Sequence, residues 1–271
     1  MTNSIAGKTK ENSAIAKDNA AIVSSRARGI DRVIDICNQL HDARHPMSMR
    51  ELISAMGAPR STIYELVAIL TEAGWLETAA DGCIYFGRAM HYFGSDYVAQ
   101  NDLVSRARQV ILALARKYDE TAQLCTLEGN KYTVLLQDGS SRPFSISCEI
   151  GLKVPIPWTA TGRLLLAHLN ADEIRALIPD EDFVLDNGQY VEFKDFIRDV
   201  ERAGQEGYCC TEGLSNTYRL CMATPIRGRE GNPVAALCFM TNRDTSAQQR
   251  AAMLKDLIEH AHKLSQPPAR N

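Results

Sequence analysis

The 271-residue chain has no excess of one charge: 30 Lys and Arg face 33 Asp and Glu, a formal net charge of −3. That excludes the pervasive basic surface of a non-specific nucleic-acid binder. Within the first ninety residues ten basic side chains meet ten acidic ones, so any contact with nucleic acid must come from local placement. No apolar run approaches the roughly 18 residues a bilayer span requires, and membrane insertion is set aside. The eight cysteines form no C-x-x-C pair and have no neighbouring His cluster. With no cleavable apolar leader, a reduced, cytoplasmic protein is expected. Neither G-x-S-x-G nor H-E-x-x-H occurs, and the i, i+2 spacing of His260 and His262 points them apart on a helix. Catalysis, a metal site and a cofactor are therefore not expected.

An apolar content of 45% with 23% charged residues is enough for real cores, and the length favours two domains. Residues 1–24 carry no apolar stripe and are expected to be a mobile tail. Three helical stripes then follow at i, i+3, i+4, i+7: Ile30, Val33, Ile34, Cys37; Met49, Leu52, Ile53, Met56; and Ile63, Leu66, Val67, Leu70. Ser48 and Glu51 make an S-x-x-E capping box at the head of the second. Gly57, Ala58 and Pro59 leave room only for the tight turn of a helix-turn-helix. Trp75 to Thr78 and Cys83 to Phe86, around Asp81 and Gly82, predict the two strands of a wing.

Met90, Phe93 and Tyr97 continue at helical spacing as a linker helix over 88–101, following a DNA-binding domain over 25–87. A longer helix carrying Leu103, Ala107, Val110, Ile111, Leu114 and Tyr118 opens a second domain over 102–266, with a short tail at 267–271. There the pattern turns to strands at Gln123–Glu128, Tyr132–Gln137, Ser145–Cys148, Tyr208–Thr211, Leu220–Ile226 and Pro233–Met240. Helices fall near Thr159–Leu169, Val191–Gln205 and Ser246–Leu264, and Asp180, Glu181 and Asp182 read as a solvated loop. The fold class is α+β in two domains: three helices and a hairpin wing, then a mostly antiparallel sheet with covering helices, a common frame for a small-molecule pocket.

The third helix is the one that would enter a major groove, with its apolar stripe docked on its own domain. Arg60, Ser61, Thr62, Tyr64, Glu65 and Ala68 lie on the opposite face. Arg60 suits a guanine edge or a phosphate, Ser61 and Thr62 phosphate oxygens, and Tyr64 the backbone or a thymine methyl. Ser48, Arg50, Arg88 and the basic lead-in Lys8, Lys10, Lys17, Arg26 and Arg28 are candidate backbone contacts. Two other readings stay open. One is a winged fold that serves protein contacts only; the other is an oxidant sensor built on the adjacent Cys209 and Cys210.

The stretch M-S-M-R-E-L-I-S-A-M-G-A-P-R-S-T-I-Y-E-L-V-A-I-L-T-E-A-G-W-L (47–76), followed by I-Y-F-G and M-H-Y-F-G, resembles the IclR family of bacterial transcriptional regulators. G-L-K-V-P-I-P-W-T-A-T-G-R-L-L-L-A-H-L (151–169), E-G-Y (206–208), C-M-A-T-P-I (221–226) and G-N-P-V-A-A-L (231–237) extend the likeness over about nine tenths of the chain. The resemblance implies a GAF-like second domain that binds a small organic effector, a homodimer or homotetramer, a pseudo-palindromic double-stranded DNA operator, and control of a catabolic operon. By position the effector pocket would be lined by Ile146, Val154, Ala160, Thr161, Thr211, Arg219, Cys221, Cys238 and Met240. Pro157 and Trp158 stand where the family usually has a histidine and a small residue, and Tyr218 and Arg219 replace a Gly-hydrophobic pair. These departures suggest an aromatic or other organic acid, with Arg219 on its carboxylate and Trp158 or Tyr218 stacked on its ring.

Overall fold

The computed structural model describes residues 29–139, 150–214 and 217–267. The N-terminal tail with Lys8, Lys10, Lys17, Arg26 and Arg28, the strand expected at Ser145–Cys148 with Ile146, and the last four residues lie outside the described residues. The chain divides between Tyr97 and Val98 into two compact units.

In the first unit, helix α1 covers residues 29–43. Its buried side chains are Ile36 and Leu40, whereas Ile30 and Ile34 are 61% and 52% exposed. The expected stripe was thus one edge of a wider apolar arc. Spacing gives the period of a helix face but not which of two overlapping stripes the core takes. Helix α2 (Met49–Met56) starts on the Ser48/Glu51 capping box and ends on Gly57 at φ 59°, a left-handed cap that glycine adopts without strain. Helix α3 (Arg60–Glu72) follows Pro59 and buries Ile63, Val67 and Leu70. Strands β1 (Leu76–Thr78) and β2 (Ile84–Phe86) pair antiparallel with Leu76 opposite Phe86. Met47 bridges to Ile84 and adds a third short rung. One core of Ile36, Leu40, Leu52, Ile63, Val67, Leu70, Leu76 and Ile84 holds these elements together.

Helix α4 (Arg88–Gln100) buries none of its thirteen residues. Tyr92, Phe93 and Tyr97 are all exposed, although Phe93 meets Trp75 edge-to-face at 5.7 Å.

The second unit opens with α5 (Asp102–Tyr118), capped by the Asn101 side chain. It contains β3 (Thr121–Glu128), β4 (Lys131–Asp138), β5 (Lys153–Pro155), β6 (Cys209–Glu212), β7 (Arg219–Arg227) and β8 (Pro233–Asn242). These form one sheet in the order β5-β4-β3-β8-β7-β6, antiparallel at every described pairing. Strand alternation sends Leu220, Met222, Leu237 and Phe239 to one face, which α5 and α9 (Ala247–Ser265) cover through Ile111, Leu114, Met253 and Leu257. Cys221, Ala223, Ala236 and Cys238 point to the other face, which α6 (Ala160–Leu165) covers with Ala160, Leu164 and Leu165.

Beside α6, helices α7 (Ala171–Leu177) and α8 (Phe193–Glu206) gather around Phe183 and Phe196. Helix α7 and strand β5 are too short to announce themselves by period. The Asp180–Asp182 run is not the solvated loop expected: it forms a 3-10 turn, Asp180–Phe183, and Asp182 is buried with its carboxylate bonded to Lys131. Charge alone carries no sign of this, because the partner lies 51 residues away on β4.

Candidate DNA-reading helix and ligand-facing sheet

Docking Ile63, Val67 and Leu70 into the core turns the rest of α3 outward. Arg60, Ser61, Tyr64, Glu65 and Ala68 are exposed and Thr62 half-buried, along one face. Pro59 offers no side-chain cap, so the leading N–H groups and the positive end of the helix dipole stay available to an anion such as a phosphate. On α2, Arg50 is exposed. Ser48 is already committed: its N–H and hydroxyl donate to Glu51 Oε2, each at 2.8 Å, and its hydroxyl accepts from the Glu51 N–H at 3.3 Å. The backbone hydrogen bond from Ser48, helped by the hydroxyl, holds the Glu51 carboxyl below its ordinary range. Arg88 is likewise turned to the wing, its N–H donating to Glu77 Oε1 at 3.1 Å with the guanidinium 4.0 Å from the same carboxylate. Arg28 lies outside the described residues.

In the second unit the register sets Thr211, Cys221 and Met240 in one row across β6, β7 and β8. Cys238 stands in the next row, and Val154 packs against the same cluster. Thr161 Oγ1 lies 3.8 Å from Cys221 Sγ, and the Ala160 N–H donates to Thr211 Oγ1 at 3.0 Å. Seven expected lining residues therefore converge: Val154, Ala160, Thr161, Thr211, Cys221, Cys238 and Met240.

Arg219 is half-buried and stands two residues before Cys221 on β7, which places it on the same face of the sheet. Tyr218, in the turn before β7, is 77% exposed. Trp158 is partly buried and donates its indole N–H to the Asp182 carbonyl at 2.9 Å. A hollow of about 570 Å³ reaches Thr211 and Arg163 between Leu185–Glu192, the start of α8 and β6.

Three supporting groups gave no sequence signal. Tyr132 is buried and accepts a hydrogen bond from Thr159 Oγ1 at 3.0 Å; burial pushes its hydroxyl well above the usual tyrosine range and keeps it neutral. Arg163, 2% exposed, donates through Nη1 to the carbonyls of Pro157 and Thr159 at 3.0 and 2.9 Å and lies over the Phe196 ring. It thereby fixes the loop that leads into α6. Gly162 lets α6 approach that loop, since a Cβ there would stand 1.9 Å from the Ile156 carbonyl oxygen.

Cys209 and Cys210 do not behave as a sensor pair. They are successive residues on β6, so one is buried and the other exposed on opposite faces. Burial pushes their thiols up to about 12 and about 11, leaving neither as the reactive thiolate. Among the described residues no group of three or more His, Cys, Asp or Glu side chains is arranged to hold a metal ion. No described helix is long and apolar enough to cross a membrane.

A winged helix-turn-helix followed by an antiparallel sheet with helices on both faces is the plan of a ligand-responsive transcriptional regulator. Residues 29–80 match the IclR helix-turn-helix domain and residues 95–266 the bacterial transcriptional regulator IclR C-terminal domain. The chain belongs to the IclR family of transcriptional regulators. It is 23% identical over 216 residues to the HTH-type transcriptional regulator KipR of Bacillus subtilis, covering 79% of this chain and 86% of that protein. Among solved structures, an IclR regulator from Alicyclobacillus acidocaldarius superposes with a TM-score of 0.78 at 16% identity, covering 88% of this chain and 97% of that one. An IclR homologue from Microbacterium hydrocarbonoxydans complexed with 4-hydroxybenzoate gives 0.74 at 21% identity, covering 88% and 97%. The relatives are regulators of transcription, and the function is regulatory rather than enzymatic.

Proposed function

We propose that the chain binds a pseudo-palindromic DNA operator as a homodimer or homotetramer and that a small organic acid, aromatic in the first instance, sets its affinity for that operator. Arg60, Ser61, Thr62 and Tyr64 would meet the major groove from α3, with Arg50 on the flanking backbone. The uncapped start of α3 beside Arg60 supports this reading.

The dimer is supported by apolar surface that the described chain leaves uncovered. Ile30 and Ile34 on α1, and Tyr92, Phe93 and Tyr97 on α4, are each about half exposed or more. A thirteen-residue helix with no buried side chain has little to hold it in place without a partner.

The single observation that carries the effector reading is the placement of Arg219 on the sheet face shared by Thr211, Cys221 and Met240. A guanidinium there can grip a carboxylate with two parallel hydrogen bonds, while the thiols, Met240 and Val154 line an apolar, polarisable wall. The 4-hydroxybenzoate bound by the Microbacterium homologue is an acid of this class. Control of a catabolic operon follows if the effector is a substrate or product of the genes regulated. Calorimetric titration with a panel of aromatic and aliphatic carboxylates tests the proposal. Binding by the parent protein and at least tenfold weaker binding by Arg219→Ala are expected; equal affinities would overturn it.

A further inference from the structure

Three thiols run diagonally across the centre of the sheet. Cys125 on β3, Cys238 on β8 and Cys221 on β7 occupy adjacent strands, all buried and all on the face packed by α6. Cys125 Sγ and Cys238 Sγ are 4.0 Å apart. The Cys238 thiol donates to Gln123 Oε1 at 3.5 Å, and Gln123 is held in that orientation by donating its amide to Gln137 Oε1 at 2.8 Å. A buried cysteine is ordinarily a small apolar filler, each in its own niche. Here two sulfurs on different strands meet, with a carbonyl oxygen and the Cys221 thiol alongside Cys238.

We propose that Cys125 and Cys238 form a two-sulfur site for a soft, thiophilic divalent cation, of which Hg(II) is the type. A metal–thiolate bond is about 2.3 Å long, so a cation in line between two sulfurs holds them about 4.6 Å apart. The pair needs to open by only about 0.6 Å, shared between two side-chain rotations. Zinc is excluded because it requires about four ligands, and no larger donor group exists among the described residues. Soft sulfur ligands in a low-coordinate site select cations that accept two sulfurs and need no water.

Charge chooses among those cations. Two thiolates and a divalent ion make a neutral unit, which a buried site tolerates, whereas a monovalent ion would leave a net negative charge in apolar surroundings. On binding, both S–H groups release their protons to solvent and two metal–sulfur bonds form, with no change of oxidation state. Each cation bound therefore displaces protons, and apparent affinity rises with pH. The site does not depend on the effector being an acid.

The test is titration of the reduced, full-length protein with mercuric chloride in excess glutathione, followed by desalting, counting of retained mercury and intact mass measurement. A dithiolate chelate survives that competition, and a single thiol does not. About one mercury per chain, free of glutathione, is expected for the parent, for Cys37→Ser and for Cys210→Ser, and none for Cys125→Ser or Cys238→Ser. No retention by the parent, retention by Cys125→Ser, or loss in Cys210→Ser overturns the proposal. Should the buried substitutions impair folding, X-ray absorption of the parent's mercury adduct decides alone. Two protein sulfurs at about 2.3 Å support the site, and one sulfur with nitrogen or oxygen overturns it.

Discussion

Gly162 on α6 lies so close to the main chain of Ile156 that a Cβ on it would stand 1.9 Å from the Ile156 carbonyl oxygen and 2.7 Å from its carbon. Both sides of that contact are backbone, so no rotamer change relieves it. The loop that leads into α6 and the helix itself are locked together there, with Arg163 bonded to the carbonyls of Pro157 and Thr159 from the same helix. Gly162→Ala is expected to cost about 3 kcal/mol, the upper range for overpacking. Urea unfolding followed by far-ultraviolet circular dichroism measures it, and a change below about 0.5 kcal/mol, the ordinary surface range, would mean the contact is loose.

The capping box should make the first unit acid-sensitive. Hydrogen bonds from Ser48 depress the Glu51 carboxyl in the folded chain. A depressed carboxyl contributes stability above its unfolded value, near pH 4.5, and loses it as pH falls through the folded value. The melting temperature of the parent should therefore exceed that of Glu51→Ala at neutral pH, with the gap closing below about pH 4.5. Ser48→Ala should lose about 1 kcal/mol at neutral pH. Thermal melts at half-unit pH steps check both outcomes.

Asp182 connects three elements: its carboxylate holds Lys131 on β4, and its carbonyl accepts from the Trp158 indole. Lys131 is a quarter exposed, which softens the usual cost of breaking a buried pair, so Asp182→Ala is expected to destabilise by about 2 kcal/mol. Trp158 and Trp75 are the chain's two tryptophans. In a Trp75→Phe background, emission from Trp158 should shift to the red when Asp182 is removed, and an unchanged spectrum would show that the loop is held otherwise.

The uncovered aromatic residues of α4 should determine association. Replacing Phe93 and Tyr97 with Glu puts charge into any interface they form, where an unpaired buried charge is strongly unfavourable. Sedimentation velocity is expected to show the parent as a dimer or tetramer and the double variant as a smaller species. A monomeric parent would remove the dimer from the account.

How far the sequence revealed the fold depended on the range of the interactions. The α2–turn–α3 segment was legible because its signals are local: an apolar period, a capping box and Gly57 at φ 59°. The wing followed from Asp81, whose side chain accepts the Cys83 N–H at 2.9 Å, and Gly82. The phase of α1 was not legible, since Val33 and Cys37 belong to both candidate stripes and only tertiary packing chooses Ile36 and Leu40. In the second unit the long strands showed themselves as runs bounded by Gly, Asn, Asp and Pro. The Lys131–Asp182 pair and the Cys125–Cys238 approach are products of topology, joining residues 51 and 113 positions apart. The expected lining residues rest on family likeness rather than on period or spacing, which say nothing of which strand lies beside which.

The most direct test of the central claim is binding of the protein to a duplex selected from random sequence, followed by fluorescence anisotropy between 50 and 200 mM salt, for the parent and for Arg60→Ala. A protein that neutralises phosphates loses affinity steeply with salt, with a logarithmic slope of about −0.9 per phosphate contacted. A steep slope and a marked preference for the selected duplex are expected in the parent. In Arg60→Ala binding should weaken at least tenfold, with a shallower slope or a relaxed preference at the contacted base pair. A parent that binds no duplex, or an Arg60→Ala protein identical to it in affinity, slope and preference, would contradict the claim that the exposed face of α3 reads DNA.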